Sequence, residues 1–292
     1  MRRAARAIAF PGILAVAVGA ALALLERGVG SGAILLGITS GVALATHGLE
    51  RAFPFSRAWL RSHGDLGADV CHLLFSTWLA ALPTTFVLQA AAALSSGRFG
   101  AGLPLLAQLP LAILLIDLVD YWMHRLGHRV GWMWRLHAVH HSAPRLYWLN
   151  VFRFHPLDAS LKSLSFVPLV LLGASPELLT LLAVFLRAFA ILQHANADLL
   201  LGPLDAIFST PAVHRWHHSR RPEEAKNYGD ITVLWDVVFG TRHFPDRAPA
   251  TDVGIEEDSV PPDYLGQLAA PFVTRRFVTS SDVVRPARGP AP

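Results

Sequence analysis

Apolar and polar positions fall in long blocks along this chain rather than in the alternation of a half-buried strand, and the blocks predict helices. Two apolar runs, Ile8–Leu25 and Ala33–Ala45, occupy the first 65 residues. A third, Leu66–Leu94, carries only Asp69 as a formal charge. It is long enough to cross the roughly 30 Å of a bilayer core as a helix. The fourth, Gly102–Val119, runs into Asp117, Asp120 and His124. A further stretch, Leu164–Leu192, is interrupted by Gly173, Pro176 and Glu177, so each half is short for a straight crossing. An interfacial or re-entrant hairpin is expected there, with a pair of true crossings as the alternative. From Arg242 the chain turns polar and rich in Pro and Asp, as far as Arg285–Pro292, and reads as an extended cytosolic tail.

The fold expected from this pattern is all-α. It is an integral membrane bundle of about four transmembrane helices plus the hairpin, capped by a cytosolic histidine-rich helical domain. The divisions fall at 1–106 (transmembrane helices), 107–244 (histidine-rich domain) and 245–292 (tail). Arginine orients the bundle. Arg2, Arg3 and Arg6 precede the first run and Arg51, Arg57 and Arg61 follow the second, whereas only Arg27 and Arg98 lie on the alternate loops. By the positive-inside rule, both chain ends and everything from His124 onward face the cytoplasm, in a bacterial cell that of the inner membrane. The basic start followed by Val18–Gly19–Ala20 also has the form of a signal peptide, but the later runs argue for a retained helix.

Composition narrows the classes. Hydrophobic residues make up 53% of the 292 positions and charged residues 16%, which excludes a disordered or fibrous protein and disfavours an ordinary cytosolic enzyme. Mean hydropathy is +0.41. A single cysteine, Cys71, excludes an intrachain disulfide scaffold and any multi-cysteine metal centre. The net charge of +4 raises nucleic acid as a partner, but no basic and aromatic binding module is present. The arginines sit between apolar runs, where anionic headgroups attract them.

Histidine carries the chemistry. Eleven of the 14 histidines lie between His124 and His243. Asp117, Asp120, His124 and His128 follow at helical spacings of three and four, so they share one face. Two H-x-x-H-H elements follow, His137/His140/His141 and His214/His217/His218, each able to aim up to three imidazoles at one pocket. With His124 and His128 these supply eight imidazoles, too many for one ion and suited to two cations that lean octahedral. No H-E-x-x-H occurs and no thiolate lies in the cluster, which disfavours a zinc peptidase or a soft-metal site. Paired, nitrogen-rich sites suit redox-active iron with O₂ as cosubstrate, although zinc can stand in for iron in such sites. A zinc-dependent membrane hydrolase or isomerase and a noncatalytic metal-binding membrane protein are the alternatives. Against the latter, the apolar runs are nearly free of ionisable groups and the histidines gather at one end.

The segments Asp120–His128, Trp134–Ser142, Arg153–Pro156 and Thr210–His218 resemble the fatty acid hydroxylase superfamily, also called the sterol desaturase family. The resemblance covers Ala107 to Phe244. It implies an integral membrane, non-haem di-iron oxygenase that hydroxylates or desaturates a sterol, fatty acyl, alkylglycerol or carotenoid-like lipid. Carried over, it makes His124, His128, His137, His140, His141, His214, His217 and His218 the metal ligands, with His155 and His194 as additional candidates. One departure stands out: a second H-x-x-x-H would need histidine where this chain has Ala190, which leaves His194 without its pair.

Around the ligands, Asp120, Asn196 and Asn227 are candidates for hydrogen bonding to the cluster, Asp120 by fixing the tautomer of a ligating imidazole. Asp117, Asp158 and Asp230 are weaker candidates for the same task. Arg145 and Arg153 are expected at lipid headgroups or on solvated surface, and the Trp and Tyr residues near the histidines at headgroup depth. His72 is expected to pair with Asp65 or Asp69 inside the bundle, and His47, His63 and His243 are expected as nonligands. The sequence holds no ferredoxin-like, flavin or nicotinamide motif, so electrons are expected from a separate donor, a ferredoxin or a cytochrome b5-like protein with its reductase.

Overall fold

Every long apolar run folds as a helix, because a helix satisfies its own backbone hydrogen bonds where no water can. The computed structural model describes residues 2–246, 251–255 and 260–274. The first four helices are α1 (Arg2–Glu26), α2 (Ser31–Ala52), α3 (Leu66–Leu94) and α4 (Leu105–Arg129). Shorter ones follow: α5 (Gly131–His141), α6 (Pro156–Lys162) and α7 (Val167–Leu171). Then come α8 (Pro176–Gln193), α9 (Pro211–His217), α10 (Leu234–Val238) and α11 (Tyr264–Val273). Helices α1 to α4 and α8 are long and apolar enough to cross a membrane. Val16, Leu36, Leu44 and Phe86 stand exposed on their outer faces, as lipid-facing side chains do. The protein is an all-α integral membrane bundle.

Helix α8 is the central stave. Leu178, Leu181 and Leu182 recur at helical spacing and are fully buried, and α8 packs on α1, α2 and α4. It forms the returning arm of the expected hairpin, and α6 and α7 form the outgoing arm. The turn between the arms lies against the loop after α3: the Phe99 N–H donates to the Gly173 carbonyl (3.3 Å), and Ser95 Oγ donates to the Leu171 carbonyl. Gly173 has φ +79°, and a Cβ there would sit 2.0 Å from the Gly97 carbonyl oxygen, so glycine is required. Near the same end, Thr180 Oγ1 donates to Ser31 Oγ at the start of α2. At the opposite end, Arg6 pairs with Asp198 and Pro54 bridges Ala197. The hairpin therefore traverses the bundle and returns the chain to the end that bears the histidines.

Two local features depart from the sequence pattern. Within α3, residues His72–Ser76 form a π-turn. Within 245–292, expected as a polar tail, Tyr264–Val273 form α11, which packs on α3 and α5. Its Gln267 is buried, and its Oε1 lies 2.7 Å from His72 Nε2. An apolar helical segment with Asp263 as N-cap outweighed the polar average of its surroundings. The terminal Arg285–Pro292 stretch lies outside the described residues.

Candidate metal centre

The last two turns of α4 carry His124 and His128 on one face, α5 carries His137, His140 and His141, and α9 carries His214 and His217, with His218 as its C-cap. All are buried, as is His194 at the C-cap of α8. The imidazoles sort into two groups. His124, His128, His137, His141 and His217 offer ring nitrogens that all lie within 4.8 Å of one another. His140, His194, His214 and His218 do the same. The groups adjoin, with the His141 and His218 rings stacked at 4.4 Å between centroids.

Each H-x-x-H-H element divides between the groups instead of serving one pocket. His140 and His141 part company, as do His217 and His218, because adjacent residues on a helix point about 100° apart. His194 joins the four-membered group although Ala190 denies it a partner one turn earlier. His155 joins neither. It caps α6, accepting from the Leu157 N–H, and its Nε2 faces the Leu268 carbonyl at 3.3 Å.

Five of the outer nitrogens are engaged. Nδ1 of His124 donates to the Tyr228 carbonyl (3.0 Å) and lies 2.9 Å from Asp230 Oδ1. Nδ1 of His137 donates to Asp158 Oδ2 (2.9 Å), and Nδ1 of His140 to the Arg153 carbonyl (3.2 Å). Nδ1 of His194 donates to Asn150 Oδ1 (3.1 Å), and Nδ1 of His217 to the Lys226 carbonyl (2.9 Å). Such acceptors fix each tautomer and leave Nε2 for a metal.

The inner nitrogens fit two ions. Nε2 of His124 and of His217 is buried without a hydrogen-bond partner among the described residues. Nε2 atoms of His137 and His141 lie 3.2 Å apart, those of His194 and His214 2.9 Å, and those of His214 and His218 3.0 Å. Two nitrogens bound cis to one metal at about 2.1 Å are separated by about 3 Å. Burial and the neighbouring imidazoles hold His140, His141, His214, His217 and His218 well below the usual histidine range. Burial takes His194 down to about 3. These six are therefore neutral near pH 7, the form that ligates.

The carboxylate beside His124 is Asp230, not Asp120. Burial opposes its charge, but Lys162 and His124 hold its carboxyl well below the usual range. Asp120 is buried, and its Oδ1 has no hydrogen-bond partner among the described residues. Asp117 instead accepts from the backbone N–H groups of Ile231 and Thr232, pinning the segment beside Asp230. Asn196 accepts from the Ser56 N–H and donates to the Ser56 carbonyl, away from the imidazoles. Asn227, in the left-handed region at φ 62°, clamps the His243 backbone, while its neighbours Lys226 and Tyr228 supply carbonyls to the cluster. Sequence reasoning missed Asn150. Its only signal was a buried amide among apolar neighbours, which periodicity does not resolve. Arg145 and Arg153 are buried, correcting their expected position at a headgroup or in solvent: the first pairs with Asp65 and the second with Asp69. His72 accordingly pairs with neither acid and lies against Ser76, Phe154 and Gln267.

Comparison with known proteins agrees with this geometry. Residues 109–241 match the fatty acid hydroxylase family. An ornithine lipid hydroxylase of Rhizobium tropici is 37% identical over 235 residues, 76% of this chain and 71% of that protein. The chain belongs to the fatty acid hydroxylase family. An alkylglycerol monooxygenase of Homo sapiens is 34% identical over 131 residues, 44% of this chain and 29% of the relative. A delta(7)-sterol 5(6)-desaturase of Gibberella zeae is 30% identical over 142 residues, 48% of this chain and 39% of the relative. No solved structure matches. Family and histidine groups together make the protein an O₂-dependent, di-iron-type oxidoreductase that acts on a membrane lipid.

Proposed function

We propose that each histidine group holds one iron and that the enzyme hydroxylates an aliphatic carbon of a polar membrane lipid. His124, His128, His137, His141 and His217 ligate one ion, and His140, His194, His214 and His218 the other. The observation that carries this reading is the convergence of nine buried imidazoles in two adjoining groups. Two irons bound there supply the redox chemistry that uses O₂ against an unactivated C–H bond, which no side chain does alone.

The chain's own residues supply the setting. Asp158 and Asp230 accept from His137 and His124, hold their tautomers and offset cationic charge, and Lys162 keeps Asp230 ionised. Burial of the histidines excludes bulk water, which suppresses side reactions. Hydroxylation is favoured over desaturation because the ornithine lipid hydroxylase and the alkylglycerol monooxygenase are more similar to this chain than the sterol desaturase is. A cavity of about 470 Å³, lined by residues that include Val87, Leu136, Leu157, Leu161 and Phe272, suits a hydrocarbon chain. Leu136 and Leu157 are the sequence neighbours of His137 and Asp158.

Electrons reach the site from a donor protein, a ferredoxin or a cytochrome b5-like protein with its reductase. The arginine distribution favours a histidine-bearing end on the cytoplasmic side of a bacterial inner membrane. Residues 1–106 act as the membrane base and 107–244 as the catalytic domain, against which α11 of the C-terminal segment packs through α5. Lipid profiling of cells with and without the gene under ¹⁸O₂ tests the reaction. A membrane lipid carrying one ¹⁸O on an alkyl carbon is expected; an unlabelled lipid with a new double bond would replace hydroxylation by desaturation.

A further inference from the structure

Residues 145–153 form a buried loop that joins the histidine-rich region to helices outside the segment matching the family. Arg145 forks onto Asp65, with Nε 2.7 Å from Oδ2 and Nη2 3.0 Å from Oδ1. Arg153 Nε donates to Asp69 Oδ1 (2.6 Å), and the Tyr147 hydroxyl donates to the other oxygen of the same carboxylate (2.6 Å). The Trp148 N–H donates to Glu50 Oε1 (2.8 Å), which also accepts from the Asn196 N–H (3.0 Å). Glu50, Asp65 and Asp69 all precede residue 109, where the family match begins, and all are buried.

The same loop serves two histidines of the four-membered group. The Arg153 carbonyl accepts from His140, and Asn150 Oδ1 accepts from His194. Asn150 is in turn tied by its Nδ2 to the Arg145 carbonyl. The five-membered group draws on other segments: Tyr228, Asp230, Asp158 and Lys226.

We propose that Asp69, with Asp65 and Glu50, positions the four-histidine metal site from outside the family segment. The inference rests on the reading above that each group holds an ion. A guanidinium buried without its counterion is strongly unfavourable, so a loop that loses Asp69 moves to bring Arg153 toward water. A displacement of about 1 Å carries the Arg153 carbonyl and the Asn150 amide beyond hydrogen-bond range of His140 and His194. The acids thus set the affinity of one metal site of the pair without touching the ion.

Cobalt(II) titration of the metal-stripped full chain in detergent tests this, read by the visible ligand-field spectrum and by metal content. Two ions per chain are expected for the wild type. Asp69→Asn should weaken one of the two by tenfold or more and leave the other unchanged. Adding His217→Ala to Asp69→Asn should abolish the remaining tight site, whereas adding His214→Ala should spare it. Tyr147→Phe keeps both charges and should weaken the same site by a smaller factor. If Asp69→Asn does not fold, Tyr147→Phe decides the matter alone. Unchanged affinities at both sites in a folded variant, or equal weakening of both, overturn the proposal. A wild type that takes up fewer than two ions overturns the two-metal reading itself, visible before any variant is compared.

Discussion

The carboxylate of Asp158, on α6, lies 2.9 Å from Nδ1 of His137, on α5, with both side chains buried. It pairs an acid with an imidazole of the five-histidine group, holding the Nδ1–H tautomer and directing Nε2 toward His141. Asp158→Asn retains the shape and removes the charge. We expect the variant to fold and to bind the ion of the five-histidine group about 10- to 100-fold more weakly, with the other site unaffected. Equilibrium dialysis against iron(II) or cobalt(II) measures both; equal loss at the two sites would count against the assignment.

Metal removal tests how far the centre and the fold depend on each other. Nine buried imidazoles converge in two groups, and an ion that binds only the native state stabilises it by about 2.7 kcal/mol when present at 100 times its Kd. Stripping the protein with a chelator should lower the Tm in detergent by several degrees, and iron(II) or zinc(II) should restore it. Restoration of Tm by zinc without restoration of turnover is expected, because zinc has no redox chemistry.

The turn of the hairpin predicts a substitution far from the histidines that affects the fold. Gly173→Ala introduces a Cβ at φ +79° and 2.0 Å from the Gly97 carbonyl oxygen, where the obstructing atoms are backbone. A destabilisation of about 2 kcal/mol or more is expected. Thermal unfolding in detergent reads it directly, and Gly28→Ala, with a similar φ of +72° but open space around it, should cost less.

The cavity predicts substrate selectivity. Leu161 and Leu136 line it together with Pro83 and Phe272. Leu161→Trp removes volume from a cavity of about 470 Å³ and should raise KM for long-chain lipids by about tenfold, with kcat for a shorter chain retained. A set of lipids graded in chain length separates the two effects; equal loss across the set would move the binding site elsewhere.

Much of this protein is legible in its sequence, for local reasons. Helix periodicity depends on neighbours three and four positions away, so the apolar runs and the shared face of His124 and His128 followed from spacing alone. What periodicity does not report is which elements meet. Asp230 stands beside His124 across 106 positions of chain, and Asp69 receives Arg153 across 84. For the same reason the sequence ranks Asp120, one turn from His124, ahead of Asp230 as a candidate acceptor, while in the structure Asp230, in the segment after α9, is the one beside His124. Arg145 and Arg153 read as surface cations in the sequence because a cation is expected at a surface unless its counterion is known, and both counterions lie on or just before α3.

Spacing along the chain is enough to specify an all-helical membrane protein whose histidines are dense enough, and close enough together, for two metals. How they divide depends on the packing of distant elements. Neighbouring histidines such as His140 and His141 diverge around a helix, and whether two divergent rings serve one pocket or two depends on what packs on each side of it. Here α4 closes one side and the end of α8 closes the other, making one group of five and one of four.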